Sequence, residues 1–448
     1  MQTTDLTTGA PLRKILLFAL PLVGGALFQQ LYNFTDTVIV GHLIGIDGVA
    51  AVGTFYPLNF LILGFIQGAC IGFSIPLSQQ VGAKNKAAVN RFFTNAWWLC
   101  LGLTLLLTPL MILLTPSLLT HLHTPANILE MAIKFTTISF IGIPANILYN
   151  YAAAALRAFG DSVHPLYFLI ISLIINVGLD LFFIAKLHMG IAGAAWATVI
   201  SEFIGGLLNL SLFLIGPQRL KLIKSDWQIK AQSIKELCRI GLPMGFEYAV
   251  SAIGALIMQT GINRLGSNIV AAQSAAEKIR QLFTLPMESV GAAMATYQAQ
   301  NYGAHNRQRL KQGVLSGVLI QIIYACSAFL ILMLSKQYLL TLVLGTNVTP
   351  ILNNANRYIL IISLFFPIHG FLMIFRNTLQ GWGYSLPAIF SGFGELIGRA
   401  AGGFLAMGAL GFTAICFANP LAWGLALIYC LIMTRIIYKN KLQQMLLS

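Results

Sequence analysis

The stretch Gln79-Gln80-Val81-Gly82-Ala83-Lys84-Asn85 returns 221 residues later as Gln300-Asn301-Tyr302-Gly303-Ala304-His305-Asn306. Other landmarks return in the same order. Leu20-Pro21 recurs as Leu242-Pro243, Pro144 as Pro367, and Gly160-x-Ser162 as Gly383-x-Ser385, at offsets of 222 and 223. Matches held in order at nearly constant spacing mark a duplicated unit about half the chain long. Around these landmarks the residues are mostly apolar. Of 448 residues 57% are hydrophobic and 9% charged, against roughly 45–50% and 25% in a soluble domain. Such a composition excludes a soluble enzyme, a disordered chain and a nucleic-acid-binding module; the chain belongs in a bilayer.

A membrane-crossing helix needs roughly 20 mostly apolar residues. Apolar runs punctuated by Gly, Pro or charge predict helices at 15–42, 50–80, 90–115, 128–156, 165–186 and 190–216. A second set is predicted at 236–264, 270–300, 311–335, 352–380, 387–410 and 412–438. The expected fold is therefore all-α and polytopic. It has an N-terminal lobe (1–216, helices 1–6), a linker (217–235) and a C-terminal lobe (236–448, helices 7–12). Six spans per copy make the copies enter the membrane in the same direction, related by a pseudo-twofold axis along the membrane normal. A substrate site is then expected near mid-membrane between the lobes, as in secondary transporters.

Twelve spans put both termini on one side. That side collects Arg13, Lys14, Lys84, Lys86, Arg91, Arg157, Arg219, Lys221, Lys224, Lys230, Arg307, Arg309 and others, whereas the opposite loops hold only Lys134, Lys186, Arg264, Lys336 and Arg357. Basic residues stay on the cytoplasmic side, so both termini are expected in the cytoplasm and the net charge of +14 needs no nucleic acid. The linker is read as lying on the membrane surface, with Ile223, Trp227 and Ile234 near one face and Lys224, Lys230 and Lys235 available to anionic headgroups. The first apolar stretch is too long for a cleavable signal peptide. The six cysteines are scattered without CxxC pairing and read as core residues. His42, His121, His123, His188 and His305 read as loop or interfacial residues, and no metal-ligand spacing or phosphate loop appears.

Three stretches resemble the multidrug and toxic compound extrusion (MATE) family: Gln30-x-Tyr32-Asn33-x-x-Asp36-x-x-x-x-Gly41 on helix 1, Pro286 through Gln300-Asn301-x-Gly303-Ala304, and Gly193-Ala194-Ala195-x-Ala197-Thr198 on helix 6. The resemblance covers essentially the whole chain and is nearest to the bacterial DinF-like branch. It implies a V-shaped pair of six-helix lobes and export of amphipathic, often cationic compounds, driven by inward H⁺ or Na⁺ flow. It also implies a cation site at Asp36, Asn150, Asn176, Asp180 and Thr198. The NorM-like branch carries a helix 7 glutamate and a helix 10 aspartate instead. Here Glu247 lies too close behind Pro243 to match the first, and helix 10 offers Arg376 and no acid.

The embedded polar residues point to the same place. Tyr32 and Asn33 lie four and three residues before Asp36; Asn176 and Asp180, Asn146 and Asn150, and Thr198 and Glu202 are each four apart, so each set shares a helix face. The duplication supplies a control. Asp36 maps onto Ile257 or Met258, Asn150 onto Met373, Asn176 onto Gly398 and Asp180 onto Gly402. Residues serving only lobe packing would be expected in both copies. In the C-terminal lobe, Glu247, Glu277, Glu288 and Glu395 are matched in number by Lys278, Arg280, Arg376 and Arg399, with Glu277/Arg280 and Glu395/Arg399 at helix-pair spacing. That pattern reads as an ion network inside the lobe, with a substrate cavity lined by Glu277, Arg280, Arg376 and Glu395 as the alternative. Asp36 and Asp180 have no such cation, and intramembrane acids without one are functional by default. They are expected to share a proton, with Asn176, Asn150, Thr198, Tyr32 and Asn33 as partners; Na⁺ at Asp36, Asp180 and Asn176 is the alternative.

Pro21 is a candidate hinge. The expected protein is a monomeric antiporter of the inner membrane, free of cofactor, whose partners are small amphipathic organic molecules and membrane lipids. Alternating access would come from lobe rocking. The rivals are a flippase for lipid-linked precursors, which needs a strongly cationic cavity, a membrane-embedded enzyme, for which no nucleophile–base pair is found, and a channel, for which no filter is visible.

Overall fold

The computed structural model describes residues 4–122, 124–216, 220–344, 348–408 and 410–442. His123, Arg219 and the first residues of the predicted linker lie outside them. Fourteen α-helices run through the described residues: α1 (Pro11–Leu43), α2 (Ile46–Gly82), α3 (Lys86–His121), α4 (Ala126–Ile141), α5 (Ile143–Ala158), α6 (Val163–Asp180) and α7 (Ile191–Leu214), then α8 (Ala231–Asn263), α9 (Ser267–Gly303), α10 (Arg307–Leu344), α11 (Thr349–Leu364), α12 (Phe366–Gly381), α13 (Ser385–Ala406) and α14 (Phe412–Ile437). Eight membrane-length segments are apolar enough to cross, and α4–α5 and α11–α12 add two more if each bent pair is one span. The remaining two, α9 and α13, are long enough but carry Glu277, Lys278, Arg280 and Glu288, and Glu395 and Arg399.

The single spans predicted at 128–156 and 352–380 are each two helices, bent by 46° at Gly142 and 47° at Phe365. The prolines explain the break. Pro144 and Pro367 stand in the first turn of α5 and α12, where a missing N–H costs nothing because a first-turn amide has no helical partner. The duplication extends to backbone conformation. Lys84 and His305, at matching points of the repeated stretch, both take the left-handed conformation, with φ of 57° and 52°. Beside them Asn85 and Asn306 accept from the amides of Ala88 and Arg309 to start the next helix.

The chain divides into two compact units. One comprises Met1–Asp5 with Gly24–Gly245, the other Leu6–Val23 with Phe246–Ser448. In both repeats the division falls two residues after the proline of the first helix, Pro21 in α1 and Pro243 in α8. In the first unit, α8 meets α2 through facing glycines spaced by four, Gly68 and Gly72 against Gly241 and Gly245. A Cβ on Gly68 would stand 2.5 Å from the Met244 carbonyl oxygen, and one on Gly245 2.7 Å from that of Phe65. Small residues at such spacing let membrane helices touch backbone to backbone. Around them Phe55 packs edge-on against Phe135 and Phe140, and Trp97 against Tyr151.

The segment preceding each first helix is pinned by polar side chains. In the second unit, Gln300 Oε1 accepts from the Leu6 amide at 3.2 Å, while Asn301 Nδ2 and Arg309 Nη2 donate to the Leu6 carbonyl at 3.1 and 2.8 Å. In the first unit, the chain before α8 lies along α3. Asn95 Oδ1 accepts from the Lys230 amide at 2.9 Å, Trp98 Nε1 donates to the Trp227 carbonyl at 2.9 Å, and Asn90 Nδ2 donates to Asp226 Oδ2 at 3.1 Å. Ile223 and Trp227 remain exposed.

Candidate cation site in the N-terminal repeat

Four helices of the first unit supply the candidate site: α1 with Tyr32 and Asp36, α5 with Asn146 and Asn150, α6 with Asn176 and Asp180, and α7 with Thr198, Ser201 and Glu202. Asn176 and Asp180 are fully buried, and Asp36 is half-buried with Oδ1 enclosed. The carboxyl groups of Asp36 and Asp180 stand close enough for a hydrogen bond to run between them. Neither Asp180 oxygen has another partner, nor has Asp36 Oδ1, and no salt bridge among the described residues reaches either acid. A carboxylate has no hydrogen to give, so this contact becomes a hydrogen bond only when one of the two carries a proton. Beside them, both atoms of the Asn176 amide are buried without a partner. Such a set of oxygens suits a proton or a hard cation, which oxygen ligands prefer.

Immediately after Asp180 the helix widens into a π-helical turn, Leu181–Lys186. Such widenings interrupt regular α-helix and often mark functional positions. On the opposite copy the same helix does something else. Gly398 and Gly402, the counterparts of Asn176 and Asp180, bring α13 against α14. A Cβ on Gly398 would stand 2.5 Å from the Ala422 nitrogen and one on Gly402 2.9 Å from the Ala418 Cα. The positions that hold polar atoms in the first repeat therefore close a helix contact in the second.

The other predicted residues form two neighbouring groups. Ser201 Oγ donates to the Thr198 carbonyl at 2.9 Å, so Tyr32 Oη, 3.0 Å from that hydroxyl, is the donor of their bond. Thr198 Oγ1 is turned back on its own helix, donating to the Ala194 carbonyl at 3.2 Å. Asn150 Nδ2 donates to Asn146 Oδ1 at 3.1 Å, and Asn146 Nδ2 donates to Glu202 Oε2 at 3.2 Å. Among the described residues, no hydrogen bond ties Asn150 or Thr198 to the aspartate pair. Asn33 is exposed and is not brought into the cluster. Spacing set Glu202 beside Thr198 on α7; its hydrogen-bond partner is Asn146, 56 residues away on another helix.

In the second unit Arg280, Arg376 and Arg399 are paired with carboxylates, while Glu288 meets His369, at 3.8 Å. Arg376 meets Glu247 at 3.1 Å and also Glu395, and its Nε donates to Ser391 at 2.9 Å. Arg399 meets Glu395 at 2.9 Å and Ser251 at 2.8 Å. Arg280 meets Glu277 at 2.6 Å, and Tyr358 donates to the same carboxylate at 2.9 Å. Lys278 is exposed. His369, which the sequence reading did not single out, is buried against Trp423 with its ring centroid 4.5 Å away. The duplication offered a signal for it, because at the offset of 223 that relates Pro144 to Pro367, His369 stands opposite Asn146 of the polar cluster.

This architecture, a duplicated six-span unit with buried polar groups inside each copy, is that of a polytopic membrane transporter rather than an enzyme. The MatE family model matches the chain twice, at residues 21–182 and 243–405, so each match begins at the proline of a first helix. The chain belongs to the MatE family. It is 28% identical over 392 residues to a Bacillus subtilis protein named as probable multidrug resistance protein YoeA, covering 85% of this chain and 84% of that one. It is 26% identical over 398 residues to DNA damage-inducible protein F of Escherichia coli, covering 84% and 79%. A solved MATE structure in the bent conformation superposes with a TM-score of 0.91 at 22% identity, over the full length of both chains. Twelve spans in two sets of six fit that fold.

Proposed function

We propose that this transporter exports amphipathic, often cationic organic compounds in exchange for H⁺, with Asp36 and Asp180 as the proton site. The observation that carries this reading is the pair itself: two carboxyl groups within hydrogen-bonding reach, inside a membrane protein, with no cation beside them. Charged side chains at such depth are costly, and one shared proton removes both the repulsion and the unmet acceptors. Asn176 stands one helical turn away on α6, with Tyr32, Asn150, Thr198 and Glu202 as the surrounding polar wall. Na⁺ held by Asp36, Asp180 and Asn176 is the alternative coupling ion. The relatives' names support organic substrates. The pairing of Arg280, Arg376 and Arg399 with glutamates weighs against a cationic cavity for lipid pyrophosphates.

Pro21 serves as the hinge in this proposal, since α1 passes from one compact unit to the other two residues later. The basic residues on the loops of one side support cytoplasmic termini and an inner-membrane location, and in this proposal the protein acts as a monomer. The test is efflux of a labelled organic cation from proteoliposomes, driven first by a pH gradient alone and then by a Na⁺ gradient alone, for wild type and Asp36→Asn. The pH gradient should drive the wild type and not the variant. Unimpaired transport by Asp36→Asn would reject the site, and transport driven only by Na⁺ would replace the ion.

A further inference from the structure

A cavity of about 350 Å³ opens in the first unit where the chain before α8 crosses α2 and α3. Its polar wall is Gln80, Arg91, Lys230, Gln232, Ser233 and Glu236. Two cations face one carboxylate there, and Glu236 lies within the field of both Arg91 and Arg239, which leaves the site net positive. The Lys230 ammonium spends one of its three hydrogens on Gln228 Oε1 at 3.3 Å. Ala231, Gln232 and Ser233 begin a helix of 33 residues, so their amides have no carbonyl inside it to bond. The volume is at the lower end of the roughly 300–1,000 Å³ typical of ligand pockets.

What surrounds the cavity decides the ligand. Ile223, Ile229 and Trp227 are exposed on the same segment, and Trp227 stands edge-on to Trp98 at 6.3 Å. Tryptophans of this kind sit at headgroup depth in membranes, and basic pockets beside helix ends there take lipid headgroups. We propose that this cavity binds the phosphodiester headgroup of an anionic phospholipid of the phosphatidylglycerol type. Lys230, Arg91 and the first-turn amides of α8 take the phosphate. Glu236, Gln80 and Gln232 accept from the glycerol hydroxyls, and the acyl chains lie beside Ile229 and Trp227. The surplus of cations over the one carboxylate favours an anionic headgroup over a zwitterionic one. The bound lipid would fasten the segment from Ile223 to Lys230 to α3 at the start of the second repeat. This site is separate from Asp36 and Asp180, so it stands whether or not those acids carry the coupling ion.

The experiment measures binding of fluorescent phosphatidylglycerol to the purified full-length protein in neutral detergent, with phosphatidylcholine as the comparison lipid. Arg91→Gln/Lys230→Gln should weaken phosphatidylglycerol binding about tenfold or more. Lys134→Gln, exposed on α4 and away from this segment, should change it by less than about twofold. Lys230→Arg added to Arg91 wild type should retain binding. Glycerophosphoglycerol should compete and inorganic phosphate should not. Equal binding of phosphatidylcholine, an equal loss in Lys134→Gln, or displacement by inorganic phosphate at the same concentration would each overturn the proposal. A second readout needs no variant: phosphatidylglycerol should slow acylation of Lys230 in the wild type, followed by peptide mass spectrometry, and no slowing would overturn it too.

Discussion

Arg376→Met tests the contrast between the two repeats where the structure makes it sharpest. Arg376 is buried and serves two carboxylates, Glu247 through Nη1 at 3.1 Å and Glu395 through Nη2. Methionine keeps much of the side-chain length and loses the charge. Glu395 retains Arg399 at 2.9 Å, but Glu247 is left with only the Gln380 amide at 2.8 Å. Removing one member of a buried ion pair costs about 3–5 kcal/mol because the survivor stays charged and desolvated. At about 1.4 kcal/mol per tenfold, that is a shift of roughly a hundred- to a few thousandfold in the folding equilibrium. Denaturant titration in detergent micelles, followed by tryptophan fluorescence, reads the change. Adding Glu247→Gln to Arg376→Met removes the stranded charge and should return about 0.5–3 kcal/mol, as a coupled pair does. An Arg376→Met protein as stable as wild type, or a double variant worse than the sum of its parts, would refute the reasoning.

The aspartate pair should respond in the opposite sense. Asp180→Asn removes a buried group whose oxygens have no partner but Asp36, so its thermal midpoint in detergent should equal or exceed that of wild type while coupled transport is lost. Gly72→Ala places a methyl against the backbone of Gly241 and should cost about 1–3 kcal/mol by overpacking, whereas Gly53→Ala meets nothing within 4 Å and should leave the midpoint unchanged. Asn146→Ala strips Glu202 of the amide that donates to both of its oxygens and should destabilise by about 1–3 kcal/mol, measured by the same titration.

Much of this molecule is legible along the chain because membrane helices announce themselves as long apolar runs cut by Gly, Pro and charge. The span predicted at 165–186 agrees with α6 and its π turn to within two residues. The prediction falls short where a segment's partners are remote. Helix α8 starts at Ala231 rather than 236 because Ser233 and Leu237 are buried in the first unit, which no local pattern reveals. The breaks at Gly142 and Phe365 were visible only as Pro144 and Pro367, and proline is common in unbroken membrane helices. In the site, i to i+4 spacing put Asn176 with Asp180 and Asn146 with Asn150. The Asn146–Asn150 contact forms as that spacing suggests, but spacing could not show that Glu202 closes the same group from α7. Asn33 shares a face with Asp36 by spacing, yet a face is wide, and the helix turns that side chain outward. The polar residues of the repeated stretch, Gln300 and Asn301, proved to hold the backbone of Leu6 almost 300 residues upstream.

The most direct measurement is the proton count on substrate binding. Purified protein in weakly buffered detergent, mixed with a fluorescent organic cation, should release the hydrogen shared by Asp36 and Asp180, and a pH dye reports it. Wild type should release a proton as the cation binds, while Asp36→Asn and Asp180→Asn should bind the cation and release none. Undiminished release in either variant would contradict the account.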